Sequence, residues 1–227
     1  MIKAVAIDID GTLTDEKRRI DLEAVRLVRE IESKKIPVIL ATGNILCFAE
    51  AASIFIGTSG PLVAENGGII KTIYPEKFYY KGDIRKANKA FSHVEKQFDV
   101  RKVSRSDLRK TEIAIYRDIE VSKIKECVKD FDVDIVDTKF AIHFKDPEVN
   151  KGRALKEVAK LMNIDLEDIV AIGDSENDYE MLEHAGIGIS VGEKKLKEVS
   201  DYMTKNGYGK GGREALNYVL SNLFSIK

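Results

Sequence analysis

The sequence predicts an α/β protein: a Rossmann-like, three-layer α/β/α core on a parallel sheet, with an α+β cap inserted into it. Three observations carry this. Short apolar, β-branched runs alternate with amphipathic stretches up to residue 68 and again beyond residue 150, the rhythm of parallel strands covered by helices. Residues 82–149 instead read as two successive helix–strand–strand units, which suit a small antiparallel sheet with helices on one face. Finally, polar clusters stand directly after the apolar runs, at the strand ends where open parallel sheets bind ligands.

Ala4-Val5-Ala6-Ile7 reads as a buried strand, closed by Asp8-Ile9-Asp10-Gly11-Thr12. A strand alternates its side chains, so Asp8 and Asp10 point to the same side. A polar loop over 14–19 leads to Asp21, a good N-cap for a helix running to about residue 35. Leu22, Val25, Val28 and Ile31 mark its expected apolar face, and Ile20 and Val25 have the spacing of a hydrophobic staple. Residues 37–41 form the next strand, followed by Thr42-Gly43-Asn44 and a helix over 45–56. A third strand, 62–64, ends at Asn66-Gly67-Gly68, and 69–73 with 77–80 reads as a hairpin. The inserted unit is expected to hold a helix over 84–97, an extended segment near Val100 and a strand over 112–117. A helix over 121–131 and strands over 134–137 and 141–145 follow. The α/β rhythm returns with a helix over 150–162, a strand over 169–172 before Gly173-Asp174-Ser175, and a helix over 177–184. A strand over 187–191 and a terminal helix over 213–223 complete it. The core is therefore expected to be discontinuous, 1–81 and 150–227, with the cap at 82–149.

The 227 residues suit one large domain or two smaller ones, and the 44% hydrophobic content allows a substantial core. With 37 basic and 38 acidic residues the net charge is -1, so no global field recruits nucleic acid or anionic membrane. No stretch approaches the roughly 20 apolar residues of a membrane span. Cys47 and Cys127 make no disulfide framework, and the chain enters a strand without a signal-peptide pattern. A reduced, cytoplasmic protein is expected, with a small metabolite as partner and a homodimer as a possible assembly.

Asp8/Asp10, Thr42-Gly43-Asn44, Lys151 and Asp174/Asp178 are expected to converge on one sheet edge. Clustered carboxylates repel unless a cation, a ligand or a proton offsets them. Carboxylates with one lysine make a site for a hard divalent cation, such as Mg²⁺, and a phosphate. Each fragment has a plainer reading as a turn, a cap or a first-turn acid; the order and spacing of all four favour a site. Several rivals fail on residues. An EF-hand starting at Asp8 would need Gly and Glu where Leu13 and Arg19 stand. Gly207-Tyr-Gly209-Lys-Gly-Gly212 matches a dinucleotide fingerprint, but too little chain follows, so it reads as a loop near the site mouth. His93, His143 and His184 lack zinc spacing and read as surface or core residues. Cys47 has Ser53 where a cysteine phosphatase needs arginine, and reads as a packed helix residue.

The chain resembles the haloacid dehalogenase superfamily of phosphohydrolases. Asp8-Ile9-Asp10-Gly11-Thr12 matches its first motif, Thr42 its second, Lys151 its third and Gly173-Asp174-Ser-Glu-Asn177-Asp178 its fourth. The insert, preceded by Asn66-Gly67-Gly68, is similar to the Cof-like branch with an α/β cap. The short cap and Ala41-Thr-Gly-Asn44 resemble the archaeal phosphoglycolate phosphatases within it. Asn44 and Ser175 depart from the Arg and Gly of many sugar-phosphate relatives.

The resemblance implies a Mg²⁺-dependent phosphatase acting on 2-phosphoglycolate, with a sugar phosphatase or phosphomutase, or a non-catalytic phospho-ligand sensor, as alternatives. It implies that Asp8 attacks phosphorus and that Asp10 first protonates the leaving oxygen and then activates water. Mg²⁺ would be held by Asp8, Asp10 through its backbone carbonyl, Asp174 and Asp178. Thr42, Gly43 and Lys151 would hold the phosphoryl group, with Asn177 orienting them. Specificity is expected in the cap, where Arg101, Lys102, Arg105, Arg109, Lys139, His143 and Lys145 are candidate cations for a substrate carboxylate.

Overall fold

The computed structural model describes residues 1–138 and 140–222. Its first half contains β1 (Ala4–Asp8), α1 (Leu22–Ser33), β2 (Val38–Ala41), α2 (Leu46–Ile56), β3 (Leu62–Ala64), β4 (Ile69–Thr72), β5 (Lys77–Tyr80), α3 (Ile84–Val94) and β6 (Glu112–Ile115). There follow α4 (Val121–Cys127), β7 (Asp134–Asp137), β8 (Ile142–Lys145), α5 (Lys151–Met162), β9 (Ile169–Gly173), α6 (Tyr179–His184), β10 (Ile187–Ser190), β11 (Tyr202–Met203) and α7 (Tyr208–Asn222).

One eight-stranded sheet runs in the order β11-β10-β9-β1-β2-β3-β4-β5. The strands from β11 to β3 are parallel, whereas β4 pairs antiparallel with β3 and β5 antiparallel with β4. The hairpin thus extends the core sheet and makes it mixed. Local alternation shows that two strands pair with each other, but not which outer edge they join.

The expected three layers follow from the alternation within β1. Val5 and Ile7 pack with Val28 and Ile31 of α1 and Leu216 and Val219 of α7. Ala4 and Ala6 face Leu155 and Val158 of α5 and Met181 of α6. Every β1 residue is buried, as parallel strands covered on both faces require. In α1, Asp21 caps as expected, its side chain accepting from the Glu23 and Ala24 N–H groups at 3.0 Å. Leu22 departs from expectation and is 78% exposed; Ala24 and Leu27 complete the buried face instead. At the first helical position a side chain leans back, away from the sheet.

The smaller sheet has the antiparallel order β6-β8-β7. Phe91 of α3, Ile113 and Ile115 of β6, Ile124 of α4, and Ile142 and Phe144 of β8 form an apolar cluster separate from the other two. The segment expected near Val100 makes only a single bridge, Lys102 to Ile115, because Arg105 turns left-handed (φ 61°) and takes the chain away. α4 stops at Cys127, before the acids Asp130 and Asp132, which a helix C-terminus disfavours. The expected end of the terminal helix, Leu223, lies outside the described residues.

The glycine-rich segment is a correction. It is not a loop at the site mouth but forms the first turns of α7, which begins at Tyr208. A β-carbon on Gly209 would approach Cβ of Asp21 to 2.6 Å, and one on Gly212 would overlap the Thr12 carbonyl oxygen. The Gly209 N–H donates to the Thr14 carbonyl at 2.8 Å. Close packing against the loop after β1 overrides the poor helix propensity of glycine.

Candidate active site

Strand register assembles the site. Asp8 lies level with Ala41 of β2, so Thr42 emerges one residue beyond it. Ile7 lies level with Ile172 of β9, so Gly173 stands beside Asp8 and Asp174 just past it. Three neighbouring strands therefore deliver Asp8, Thr42 and Asp174 to one edge. Lys151 enters from the first turn of α5, which the Asn150 side chain caps by accepting from the Arg153 N–H at 2.7 Å. Asp178 closes a 3-10 turn, Glu176–Asp178, ahead of α6.

Lys151 Nζ donates to Asp8 Oδ1 and Asp178 Oδ1, both at 2.6 Å. Asp178 Oδ2 accepts from the N–H groups of Asp174 (3.0 Å) and Ser175 (3.1 Å), so both its oxygens are committed. The Thr12 hydroxyl donates to Asp174 Oδ1 at 3.1 Å. Gly11, at φ +95°, leaves the space a β-carbon would take 2.7 Å from Asp174 Cγ. Asp8, Asp174, Asp178, Lys151 and Thr42 are all buried.

Ligand oxygens of Asp8, Asp174 and Asp178 lie within 4.8 Å of one another. At that separation like charges repel by about 3–4 kcal/mol at an effective dielectric near 20. Burial pushes the Asp8 carboxyl well above the ordinary carboxylate range; Lys151 opposes the shift, while Asp178, Asp174 and Asp10 add to it. Burial disfavours the Lys151 charge, but Asp178 and Asp8 outweigh it and hold the ammonium above its ordinary value. One ammonium among three carboxylates leaves a negative surplus, and among the described residues Asp8 Oδ2 is buried without a hydrogen-bond partner. An all-oxygen donor set with such an orphan fits a hard divalent cation.

Asp10 sits apart from this cluster. Its Oδ1 accepts from Arg18 Nε at 2.7 Å and its Oδ2 from Asn44 Nδ2 at 2.6 Å. The Thr42 hydroxyl oxygen accepts from the Asn44 N–H at 3.0 Å. Asn177 Nδ2 donates to Asn66 Oδ1 at 2.9 Å, linking the loop after β9 to the turn after β3. A cleft of about 210 Å³ opens between the two sheets. Asp8, Asp10 and Asn177 line it from the larger sheet, and Arg109, Phe140 and His143 from the smaller unit.

The candidate cations of the smaller unit separate clearly. Arg101 pairs with Asp118 at 2.8 Å, and Lys102 lies 4.5 Å from the Phe91 ring centroid. Lys145 is buried against Asp134 and the Val149 carbonyl. Arg105 is exposed in its turn, and Lys139 lies outside the described residues. Arg109 and His143 reach the cleft. Both contact Glu112, which is buried at the start of β6, His143 Nδ1 at 2.8 Å from Oε1. Asn66 Nδ2 donates to the other Glu112 oxygen at 2.9 Å. Cys47, expected to be packed, is exposed on α2. Arg18 and Glu112 are not signalled by any motif of the sequence, and Asn66 stands there only as part of the turn before the insert. Glu112, a lone acid opening an apolar strand, carried a usable signal; Arg18 in a polar loop carried none.

The model of the haloacid dehalogenase-like hydrolase family matches residues 5–100 and 76–212. A phosphoglycolate phosphatase from Methanothermobacter thermautotrophicus is 49% identical over 217 residues, covering 95% of this chain and 97% of the relative. One from Archaeoglobus fulgidus is 41% identical over 219 residues, covering 96% of each. Among solved structures, a Thermoplasma acidophilum protein superposes with a TM-score of 0.88 at 26% identity, covering 96% of this chain and 98% of its own. A haloacid dehalogenase-like hydrolase from B. subtilis shares the fold with a TM-score of 0.79 at 21% identity, covering 96% of this chain and all of its own. With its four motif clusters gathered at one sheet edge, the chain belongs to the haloacid dehalogenase-like hydrolase family.

Proposed function

We propose that this protein is a Mg²⁺-dependent phosphatase that hydrolyses 2-phosphoglycolate to glycolate and phosphate. The observation that carries the reading is the buried Asp8 carboxylate at the base of a small cleft, one oxygen held by Lys151 and the other without a partner among the described residues. The archaeal relatives named as phosphoglycolate phosphatases, one of them 49% identical, support the substrate.

Asp8 attacks phosphorus, forming an aspartyl-phosphate as the bond to the glycolate oxygen breaks. Asp10, positioned by Arg18 and Asn44, gives its proton to that oxygen. Its carboxylate then takes a proton from water, which attacks phosphorus and releases Asp8 and inorganic phosphate. Lys151 fixes Asp8 and offsets charge on the transferring group, and Thr42 with Gly43 cradles the phosphoryl oxygens. Asp8, Asp174 and the Asp10 backbone would hold Mg²⁺, which when bound neutralises the surplus negative charge of the site. Asp178 acts through Lys151 and the 174–175 backbone. Asn177 steadies Asn66.

Residues 82–149 serve as the specificity cap on a core made of 1–81 and 150–227. Free Cys47 and Cys127 suit a reduced cytoplasm. The exposed side chains of Leu22, Ile54 and Phe55 support a homodimer, which sedimentation would reveal. The substrate is tested by steady-state kinetics on a panel of phosphate esters with and without Mg²⁺. Phosphoglycolate should lead and depend on the metal. A lead by glycerol or hexose phosphates would replace the substrate, sugar phosphate interconversion without phosphate release would indicate a mutase, and absence of turnover would leave a sensor.

A further inference from the structure

We propose that Arg109, held by Glu112 and accompanied by His143, binds the carboxylate of the substrate and restricts the enzyme to short phosphorylated acids. This rests on the phosphatase reading above and names the side of the cleft that reads what phosphoryl transfer does not.

Four observations converge on Arg109. It is one of only two candidate cap cations among the described residues that reach the cleft. Its side chain is 5% exposed, yet among the described residues its Nε is buried without a hydrogen-bond partner. A buried, charged donor left unpaired is costly, and an arriving anion relieves that cost. Its Nη1 is already fixed, donating to Glu112 Oε1 and to the Gly43 carbonyl oxygen, the latter at 3.0 Å. The guanidinium is therefore preorganised, and forming a charge-assisted bond to a carboxylate costs it little side-chain entropy.

Glu112 sets the charge of this roof. Burial would raise its carboxyl, but His143 and Arg109 outweigh burial and hold it below the ordinary range. One fixed anion thus serves two cation-capable side chains. Contact with Glu112 occupies His143 Nδ1, so Nε2 is the ring nitrogen left for a ligand. Arg18 also lines the cleft, but its Nε is committed to Asp10 and its side chain is 42% exposed.

Geometry also limits substrate length. Arg109 touches Gly43, the residue after Thr42, so the carboxylate and phosphoryl positions are neighbours. A cleft of about 210 Å³ suits a short acid, and a neutral sugar tail would bring no negative charge to meet the Arg109 guanidinium.

The test compares 2-phosphoglycolate with 2-hydroxyethyl phosphate, which has the same length but no carboxylate, using wild type, Arg109→Gln and Arg109→Lys with Mg²⁺. Arg109→Gln should lower kcat/KM for phosphoglycolate on the order of 100-fold, chiefly through KM, while 2-hydroxyethyl phosphate changes less than about threefold. Arg109→Lys keeps a charge but cannot fork between Glu112 and substrate, and should lose roughly 10-fold, again selectively. Thermal melts establish that each variant is folded, and Arg109→Lys carries the comparison if the glutamine variant is not. Equal losses on both esters, or no loss on either, would overturn the carboxylate role. A wild type that does not prefer phosphoglycolate would instead overturn the substrate reading itself.

Discussion

The floor and the roof of the cleft handle charge in opposite ways. On the floor, Asp8, Asp174 and Asp178 crowd around Lys151, an anionic excess that a divalent cation would relieve. In the roof, the Glu112 carboxylate lies between Arg109 and His143, and among the described residues the unpaired group is a donor, Arg109 Nε. A floor short of positive charge suits metal-assisted phosphoryl transfer; a roof short of an acceptor suits recognition of an anionic tail. On the proposed reading, chemistry and specificity sit on opposite walls and should fail separately.

The largest expected effect comes from the floor. Asp8→Asn should lower turnover on every ester by on the order of 10⁴-fold or more, yet the metal-free variant should melt about 2–4 °C above wild type. The raised Asp8 carboxyl makes ionisation costly in the folded state. That cost is present above the folded pKa and relieved as pH falls through it, so the melting gap should close on acidification. Lys151→Met should cost about 3–5 kcal/mol in chemical denaturation because it strands Asp8 and Asp178. Chelation should abolish activity and remove about 2.7 kcal/mol of the stability measured at 100-fold Kd of Mg²⁺.

Changes in the roof should be milder. Glu112→Gln should cost about 1–3 kcal/mol near neutral pH. Because the Glu112 carboxyl is lowered from 4.5, its contribution is complete above that value and lost as pH falls through the folded pKa, where variant and wild type should converge. Away from both walls, Arg26→Ala removes exposed pairs with Glu23 and Glu30 and should cost no more than about 0.5 kcal/mol in the same measurement.

The contrast also explains what the sequence revealed. Floor residues stand at strand ends in short motifs, and parallel register converts those positions into convergence: Asp8 beside Ala41, Ile7 beside Ile172. The roof depends on pairing that no local pattern specifies. Register sets His143 opposite Ala114, which places it diagonal to Glu112 on one face, and Arg109 arrives from an irregular segment. Seven scattered cations looked alike in sequence; among the described ones, reach into the cleft distinguishes Arg109 and His143. The glycine-rich start of α7 departs from its loop-like sequence for the same reason, since tertiary contact with Thr12 and Asp21, not propensity, makes it helical.

The central claim is that the floor alone performs phosphoryl transfer through Asp8, whatever the roof binds. Its most direct test uses Asp10→Asn with Mg²⁺ and p-nitrophenyl phosphate, whose leaving group needs no proton and which carries no carboxylate. One equivalent of nitrophenolate should appear in a burst, and mass spectrometry should find a phosphoryl group on the peptide carrying Asp8. Steady turnover without a burst, or a phosphoryl group on any other peptide, would contradict it.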